Sequence, residues 1–242
     1  SFRTVGEVST ACDLRSVIYD SQYWLVTGHT NASNGSSGSL SASTDSIHWT
    51  QRTTGIPDDH RQIMYHDGKK TYFMNSIGCS AASSTDAIHW TLRTLPFGTN
   101  ACHCGSLFCS PDYYIATSTY SSHGYTVSTD AIHWSLRTLG VSEIVYGVGY
   151  IHPNYVASFY GTNVSPRVSS STDSIHWTKR TGTTNMWNDL NLRSHNIYQY
   201  ANGYLHYLGD AAANSNVNVT TTDGIHWVNN PVPFSGIVNA SR

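Results

Sequence analysis

The chain has 242 residues, of which only 12% are charged, and its 13 Lys and Arg against 15 Asp and Glu leave a formal net charge of −2. That balance lacks the basic footprint of a nucleic-acid binder, and no window approaches the roughly 18 consecutive apolar residues of a membrane-spanning helix. Polar bulk comes from Ser, Thr, Asn and Gly, with 16 tyrosines and 7 tryptophans, which suits an extracellular or virion surface and contacts to sugar or protein. The chain starts at Ser1 without a signal peptide, so the expectation is a mature form or a fragment of something longer.

Taken from the N-terminus, "SFRTVG" (1–6) reads as the tail of a repeat, with Arg3, Thr4 and Gly6 aligning with Arg52, Thr53 and Gly55. A first unit, 7–53, holds the apolar runs "SVIYD" and "YWLVTG", then a Ser-rich segment, then "STDSIHWTQRT". The second, 54–94, holds "QIMYHDGKKTYFMNS" and ends in "STDAIHWTLRT". The third, 95–138, holds "SLFCSPDYYIATS" and "STDAIHWSLRT"; the fourth, 139–181, holds "GYIHPNYVASFYG" and "STDSIHWTKRT". The fifth, 182–230, holds "NIYQYANGYLHYLG" and "TTDGIHWVNN", with 231–242 left as closure or tail. The motif aspartates Asp45, Asp86, Asp130, Asp173 and Asp223 lie 41, 44, 43 and 50 residues apart. Matches of this length at this period are an internal repeat.

Each unit supplies about four short aromatic and β-branched runs bounded by Gly, Asn, Asp or Pro, which read as strands A to D with "IHWT.RT" as D. Four strands in about 40 to 45 residues is the signature of a propeller blade. The expected fold is therefore all-β: a single five-bladed β-propeller over 1–242, four antiparallel strands per blade, its ring closed where the two terminal segments meet. Closure would remove exposed strand edges.

The motif itself reads as a turn. Asp accepts hydrogen bonds from backbone N–H groups two or more residues on, and Ser or Thr does so more weakly. In a strand after that turn, Ile47 and Trp49 would share one face and His48 the other. Trp49, Trp90, Trp134, Trp177 and Trp227 would then fill the inter-blade seams, while His48, His89, His133, His176 and His226 act as hydrogen-bonded structural residues. The recurring Arg52, Arg93, Arg137 and Arg180 are expected to pair with aspartates or carbonyls of adjacent blades.

These residues resemble the Asp-box, or BNR, repeats of sialidase-like propellers, whose pattern is S-x-D-x-G-x-T-W. Here Trp follows Asp by four positions instead of five, and only the fifth copy has glycine after Asp, at Gly224. The shorter form looks more like the propeller repeats of phage tail and other surface proteins, and of propeller lectins. The resemblance implies a β-propeller and leaves function open.

A single functional site should lie where the copies disagree. The variable inter-unit loops include "TGIPDDHRQ" and "TGTTNMWNDLNLRSHN". The candidate ligand-binding residues are Asp58, Asp59, His60, Arg61, His103, His123, Tyr160, Trp187, Asn188 and Asp189. No residue is assigned a catalytic or metal-binding role, and no cofactor is implied. Cys102-His103-Cys104 with Cys109 lacks the second ligand pair of a zinc site, and five cysteines cannot make a complete disulfide framework. Buried thiols or one local disulfide are expected instead.

The function that follows is a non-enzymatic binding module recognising a cell-surface carbohydrate or receptor, with other chains of a larger assembly as further partners, and neither nucleic acid nor membrane insertion. Two alternatives remain. One is a structural or protein–protein scaffold of a virion or extracellular filament. The other is a glycoside hydrolase of sialidase-like or five-bladed type, for which Asp58, Asp59, Glu143 and Asp189 could supply the two carboxylates needed.

Overall fold

The computed structural model describes residues 12–32, 35–56, 58–76, 78, 80–97, 104–118, 124–139, 144–160, 168–180, 197–210 and 216–231. These residues form strands and turns, one 3-10 turn at Asp67–Lys69 and, among the described residues, no α-helix. The described residues make five four-stranded antiparallel sheets, each built from strands consecutive in the chain. The first contains β1 (Cys12–Tyr19), β2 (Trp24–Ala32), β3 (Gly35–Ser43) and β4 (Thr50–Arg52). The second contains β5 (His60–His66), β6 (Thr71–Ser76), β7 (Ser80–Ser84) and β8 (Thr91–Thr94). The third contains β9 (Cys104–Cys109), β10 (Tyr114–Ser118), β11 (Tyr125–Ser128) and β12 (Ser135–Arg137). The fourth contains β13 (Ile144–Ile151), β14 (Asn154–Tyr160), β15 (Val168–Ser171) and β16 (Thr178–Lys179); the fifth contains β17 (Ile197–Ala201), β18 (Tyr204–Asp210), β19 (Asn216–Thr221) and β20 (Val228–Pro231). The terminal segments expected to close a ring, 1–6 and the residues after 231, lie outside the described residues.

In the first, second and fourth sheets the third strand is a Ser-rich segment. Ser41, Ser43, Ser83, Ser84, Ser169 and Ser170 are all buried. Small side chains let neighbouring layers approach closely, so a segment that reads as polar lies inside. The second strands are covered on both faces, as Phe73, Met74, Ile115, Ala116, Val156 and Ala157 show, and such strands lose the clean in-out alternation of a half-exposed sheet.

The motif is a turn for longer than the sequence suggests. In all five copies the aspartate Oδ1 accepts the backbone N–H groups two and three residues on, each at 2.8 Å. The Ser or Thr two residues earlier donates its hydroxyl to the same oxygen at 2.9–3.0 Å. Bonds to the N–H groups of Ile and His hold those residues out of the ladder, so the fourth strand begins only after the tryptophan, at Thr50, Thr91, Ser135, Thr178 and Val228. This corrects the face assignment made for a strand: Ile47, Ile88, Ile132 and Ile175 are exposed rather than packed in a seam. The tryptophans are partly buried, and Trp134 lies 4.7 Å from Phe73 between ring centroids.

The residue after each aspartate has a left-handed backbone: Ser46, Ala87, Ala131 and Ser174 at φ 57° to 62°, and Gly224 at φ 71°. Four of these five are also buried, which restricts the position to Ser, Ala or Gly. Two of the four recurring arginines bond within their own sheet. Arg93 and Arg180 each donate Nε to a third-strand serine of their own sheet, Ser83 at 2.8 Å and Ser170 at 2.6 Å. Asn230, which stands where the fifth copy lacks the arginine, bonds Thr220 Oγ1 at 2.7 Å in the same way.

The chain divides into two compact units, Ser1–Ala116 with Thr126–Ser135, and Thr117–Tyr125 with Leu136–Arg242. In the first, one apolar cluster joins Leu25, Leu40 and Ala42 to Ile63, Tyr72, Met74 and Ala87. Another joins Met64, Phe73 and Ala81 to Leu95, Tyr114 and Ala131. The third motif turn is also held by Lys69, whose Nζ donates to Asp112 O and Thr129 O at 2.8 Å. In the second unit, Asn154 donates to Asp223 O at 2.8 Å, and Gly224 sits against Val156 and Ile151. Tyr125 donates its hydroxyl to Ser174 O and accepts Trp177 Nε1–H.

A Cβ on Gly224 would lie 2.8 Å from Val156 Cγ2 and would sit on a left-handed backbone. Gly224→Ala is therefore expected to lower stability by about 1–3 kcal/mol, read as a lower urea midpoint. Ser46→Gly, at an exposed turn with φ 60°, should change it by less than about 0.5 kcal/mol, because relieved strain and added unfolded-state freedom offset.

Candidate functional site

Each motif histidine is folded back onto its aspartate, with Nδ1 2.6–2.7 Å from Oδ2, and its side chain remains 84–87% exposed. The histidine bond, followed by the backbone donors, holds Asp45, Asp86 and Asp173 well below the ordinary carboxylate value of 3.8. At Asp130 and Asp223 burial opposes ionisation more strongly than any single bond favours it, yet the bonds together still depress the carboxyl. Five equal copies of one arrangement make a turn lock and do not single out one reaction centre.

The variable loops carry the other candidates. Trp187, Asn188, Asp189, His103 and His123 lie outside the described residues. Tyr160 ends β14 and pairs with Ile144 across the hairpin. Asp58, Asp59, His60 and Arg61, by contrast, are placed in detail, and they do not form the solvated turn that such a run usually makes. Asp59 and His60 are buried. Asp59 Oδ1 lies 3.2 Å from His29 Nδ1, and its Oδ2 lies 3.5 Å from Arg61 Nε and 3.9 Å from Arg15 Nη2. Arg15 Nη2 also approaches His29 Nδ1 at 3.5 Å. One buried carboxylate thus gathers two guanidiniums and an imidazole from β1, β2 and the start of β5.

Two local devices build this cluster. Arg15 is the extra residue of a bulge in β1, where Leu14 pairs with Gly28 and Ser16 with Thr27. A second irregularity falls between His60 and Ile63 and contains Arg61. Bulges re-aim side chains in this way and recur beside functional sites. The second device is Gly38: a Cβ there would lie 2.1 Å from the His60 ring and 2.2 Å from Asp58 O. Its absence lets the inter-unit loop press into the first sheet. His60 lies 3.1 Å from Thr54 Oγ1 through its Nε2, and burial pushes its pKa below the ordinary 6.5, which favours the neutral ring.

Arg15 and His29 were not among the sequence candidates, though a signal for Arg15 exists. "DLRSVIY" (13–19) and "DHRQIMY" (59–65) share Asp, Arg and Tyr at the same spacing, and Tyr19 and Tyr65 hold the same hairpin position, opposite Trp24 and Tyr72. His29 carries no such mark; only the packing of β2 against the start of β5 brings it to Asp59. Chemically, the cluster offers donors on partly exposed guanidiniums above a sealed anion. Asp59, at 4% exposure and ringed by cations, is a positioning group for those donors. Among the described residues no group of three or more His, Cys, Asp or Glu could hold a metal ion, and Cys109 is a free, half-buried thiol whose pKa burial raises.

No family model matches the chain and no curated protein matches it. Solved structures do. It is similar to virginiamycin B lyase from Staphylococcus aureus, with a TM-score of 0.69 at 12% identity over 94% of this chain and 72% of that one. It is similar to a chain of the nidogen/laminin complex, with a TM-score of 0.57 at 10% identity over 87% of this chain and 76% of that one. It is also similar to a structural-genomics protein of unknown function from Bacteroides thetaiotaomicron, with a TM-score of 0.55 at 11% identity over 90% of this chain and 58% of that one. The first two are β-propeller proteins, and the likeness places this chain's sheets in that fold.

Two outcomes are expected from the electrostatics. Removing the anion in Asp59→Ala leaves cationic groups facing one another, so stability should fall by about 2–4 kcal/mol in chemical denaturation. The motif carboxyls, depressed when folded, stabilise the native state above their ordinary value near 3.8, and that contribution is lost as pH falls through the depressed values. Acid titration followed by tryptophan fluorescence should show unfolding that begins below about pH 4 and moves to higher pH in Asp86→Ala, where the wild-type bonds are missing at every pH.

Proposed function

We propose that the chain is a non-enzymatic binding module that recognises a cell-surface carbohydrate or receptor, acting on an extracellular or virion surface. The five sheets are read as five blades of a propeller closed on itself, and the motif as a shortened relative of the Asp-box repeat. The observation that carries the reading is the convergence of Arg15, His29 and Arg61 on buried Asp59, at the loop where the units diverge. Guanidinium donors fixed by a buried carboxylate are pre-organised, which cuts the ordering cost of binding. They suit the hydroxyls of a sugar, whose oxygens accept from the arginines. Trp187, Asn188, Asp189, His103, His123 and Tyr160 remain candidates for ligand contacts of their own loops, proposed from the sequence alone. The propeller neighbours have varied functions, so the fold supports a binding module without selecting a ligand.

A scaffold role is favoured by a different observation. Val17 and Trp24 of the first sheet are 59% and 36% exposed, whereas Ile63 and Tyr72, their counterparts in the second sheet, are 5% and 4% exposed. Stable filaments or higher oligomers in solution, together with a blank glycan array, would favour that role over the lectin one.

The binding reading is tested on a glycan array with the wild-type chain and Arg61→Ala. A defined hit that weakens tenfold or more, about 1.4 kcal/mol, in a variant with an unchanged far-ultraviolet spectrum is the expected result. Turnover of a glycoside by the wild-type chain would overturn the non-enzymatic reading.

A further inference from the structure

The motif turns have a chemical property that turn formation does not use. A carboxylate only accepts hydrogen bonds, so a histidine Nδ1 held 2.6–2.7 Å from Asp Oδ2 must carry the proton. In the neutral ring that places the lone pair on Nε2. The carboxylate cannot turn to another task, because its Oδ1 is occupied by two backbone N–H groups and a hydroxyl. The ring is 84–87% exposed in every copy, so Nε2 is open to solvent. An imidazole that donates its other N–H to a carboxylate is the arrangement that orients histidine for a metal and raises its basicity.

We propose that each of the five motif turns is a binding site for a borderline divalent transition ion, Zn2+ or Cu2+, through the Nε2 of His48, His89, His133, His176 or His226. The aspartate acts as the positioning group and water completes the coordination. Imidazole nitrogen selects such ions over Ca2+ and Mg2+, which require oxygen donors. With one protein ligand per turn each site is weak. The site is independent of whatever the variable loops recognise.

The test is a ZnCl2 titration of the untagged, 15N-labelled chain, following imidazole nitrogens by long-range 15N–1H spectra, with assignments from single His→Gln variants. In the apo chain the five motif rings should show a protonated Nδ1 and an unprotonated Nε2. Their Nε2 signals should shift with Zn2+ at concentrations where those of His152 and His206 do not. Asp130→Asn supplies the decisive contrast. Its amide oxygen can keep the two backbone bonds while its NH2 donates to His133 Nδ1, which forces the proton onto Nε2 and removes the lone pair. His133 should then respond to Zn2+ tenfold or more weakly, with the other four rings unchanged as proof of folding. Should that variant unfold, Asp45→Asn, at the turn whose following residue is exposed, reads the same contrast. A motif tautomer protonated on Nε2, a Zn2+ response shared equally by all imidazoles, or a His133 response unaltered by Asp130→Asn would each overturn the proposal.

Discussion

The interaction on which the architecture depends is a carboxylate oxygen that accepts two consecutive backbone N–H groups and a neighbouring hydroxyl. It occurs at Asp45, Asp86, Asp130, Asp173 and Asp223 with distances that vary by little more than 0.1 Å. Backbone N–H groups held out of the strand ladder are left without ladder partners, and here a side chain supplies one at the point where the chain reverses between the third and fourth strands. The geometry in turn dictates a left-handed residue after the aspartate, a small side chain there, and a hydroxyl two residues before. The motif's composition is a consequence of that single accepting oxygen.

What the turns hold together is a series of layers with small residues inside and aromatics at the hairpins. Tyr19 with Trp24, Tyr65 with Tyr72 and Tyr150 with Tyr155 are cross-strand aromatic pairs at 4.5–4.8 Å, each at the hairpin between the first two strands of its sheet. Turn and hairpin then meet through single polar contacts, such as Lys69 to Thr129 O and Asn154 to Asp223 O. The repeat thus preserves contacts between layers as well as folds within them. A bulge recurs in the first strands β1, β5 and β13, and at those of β1 and β5 charge enters the interior, with the Arg15, His29, Asp59, Arg61 group as the result. Burying that much charge is justified only by mutual pairing. It costs stability that an apolar packing would not, which is a reason to read the group as functional.

The candidate site was legible in part. The run Asp58 to Arg61 stood out because it falls where the copies differ, but nothing local shows that Asp59 points inward. Gly38 decides that, and Gly38 is more than twenty residues earlier in the chain. The expected strand containing His48 and Trp49 failed for a physical reason: propensity and alternation favour a strand there, while the aspartate claims the very N–H groups a strand would need. The arginines were expected to bridge layers, yet Arg93 and Arg180 each donate to a serine on the adjoining third strand of their own sheet.

By itself the amino-acid sequence determined the number of motif copies, the all-β class and where the five motif turns begin, since these follow from a repeated local pattern whose hydrogen bonds span no more than four residues. Tertiary structure alone decided which polar residues are interior, which motif residues face solvent, and which charges meet. Those outcomes depend on packing between elements distant in the chain: His29 reaches Asp59 because β2 packs against β5.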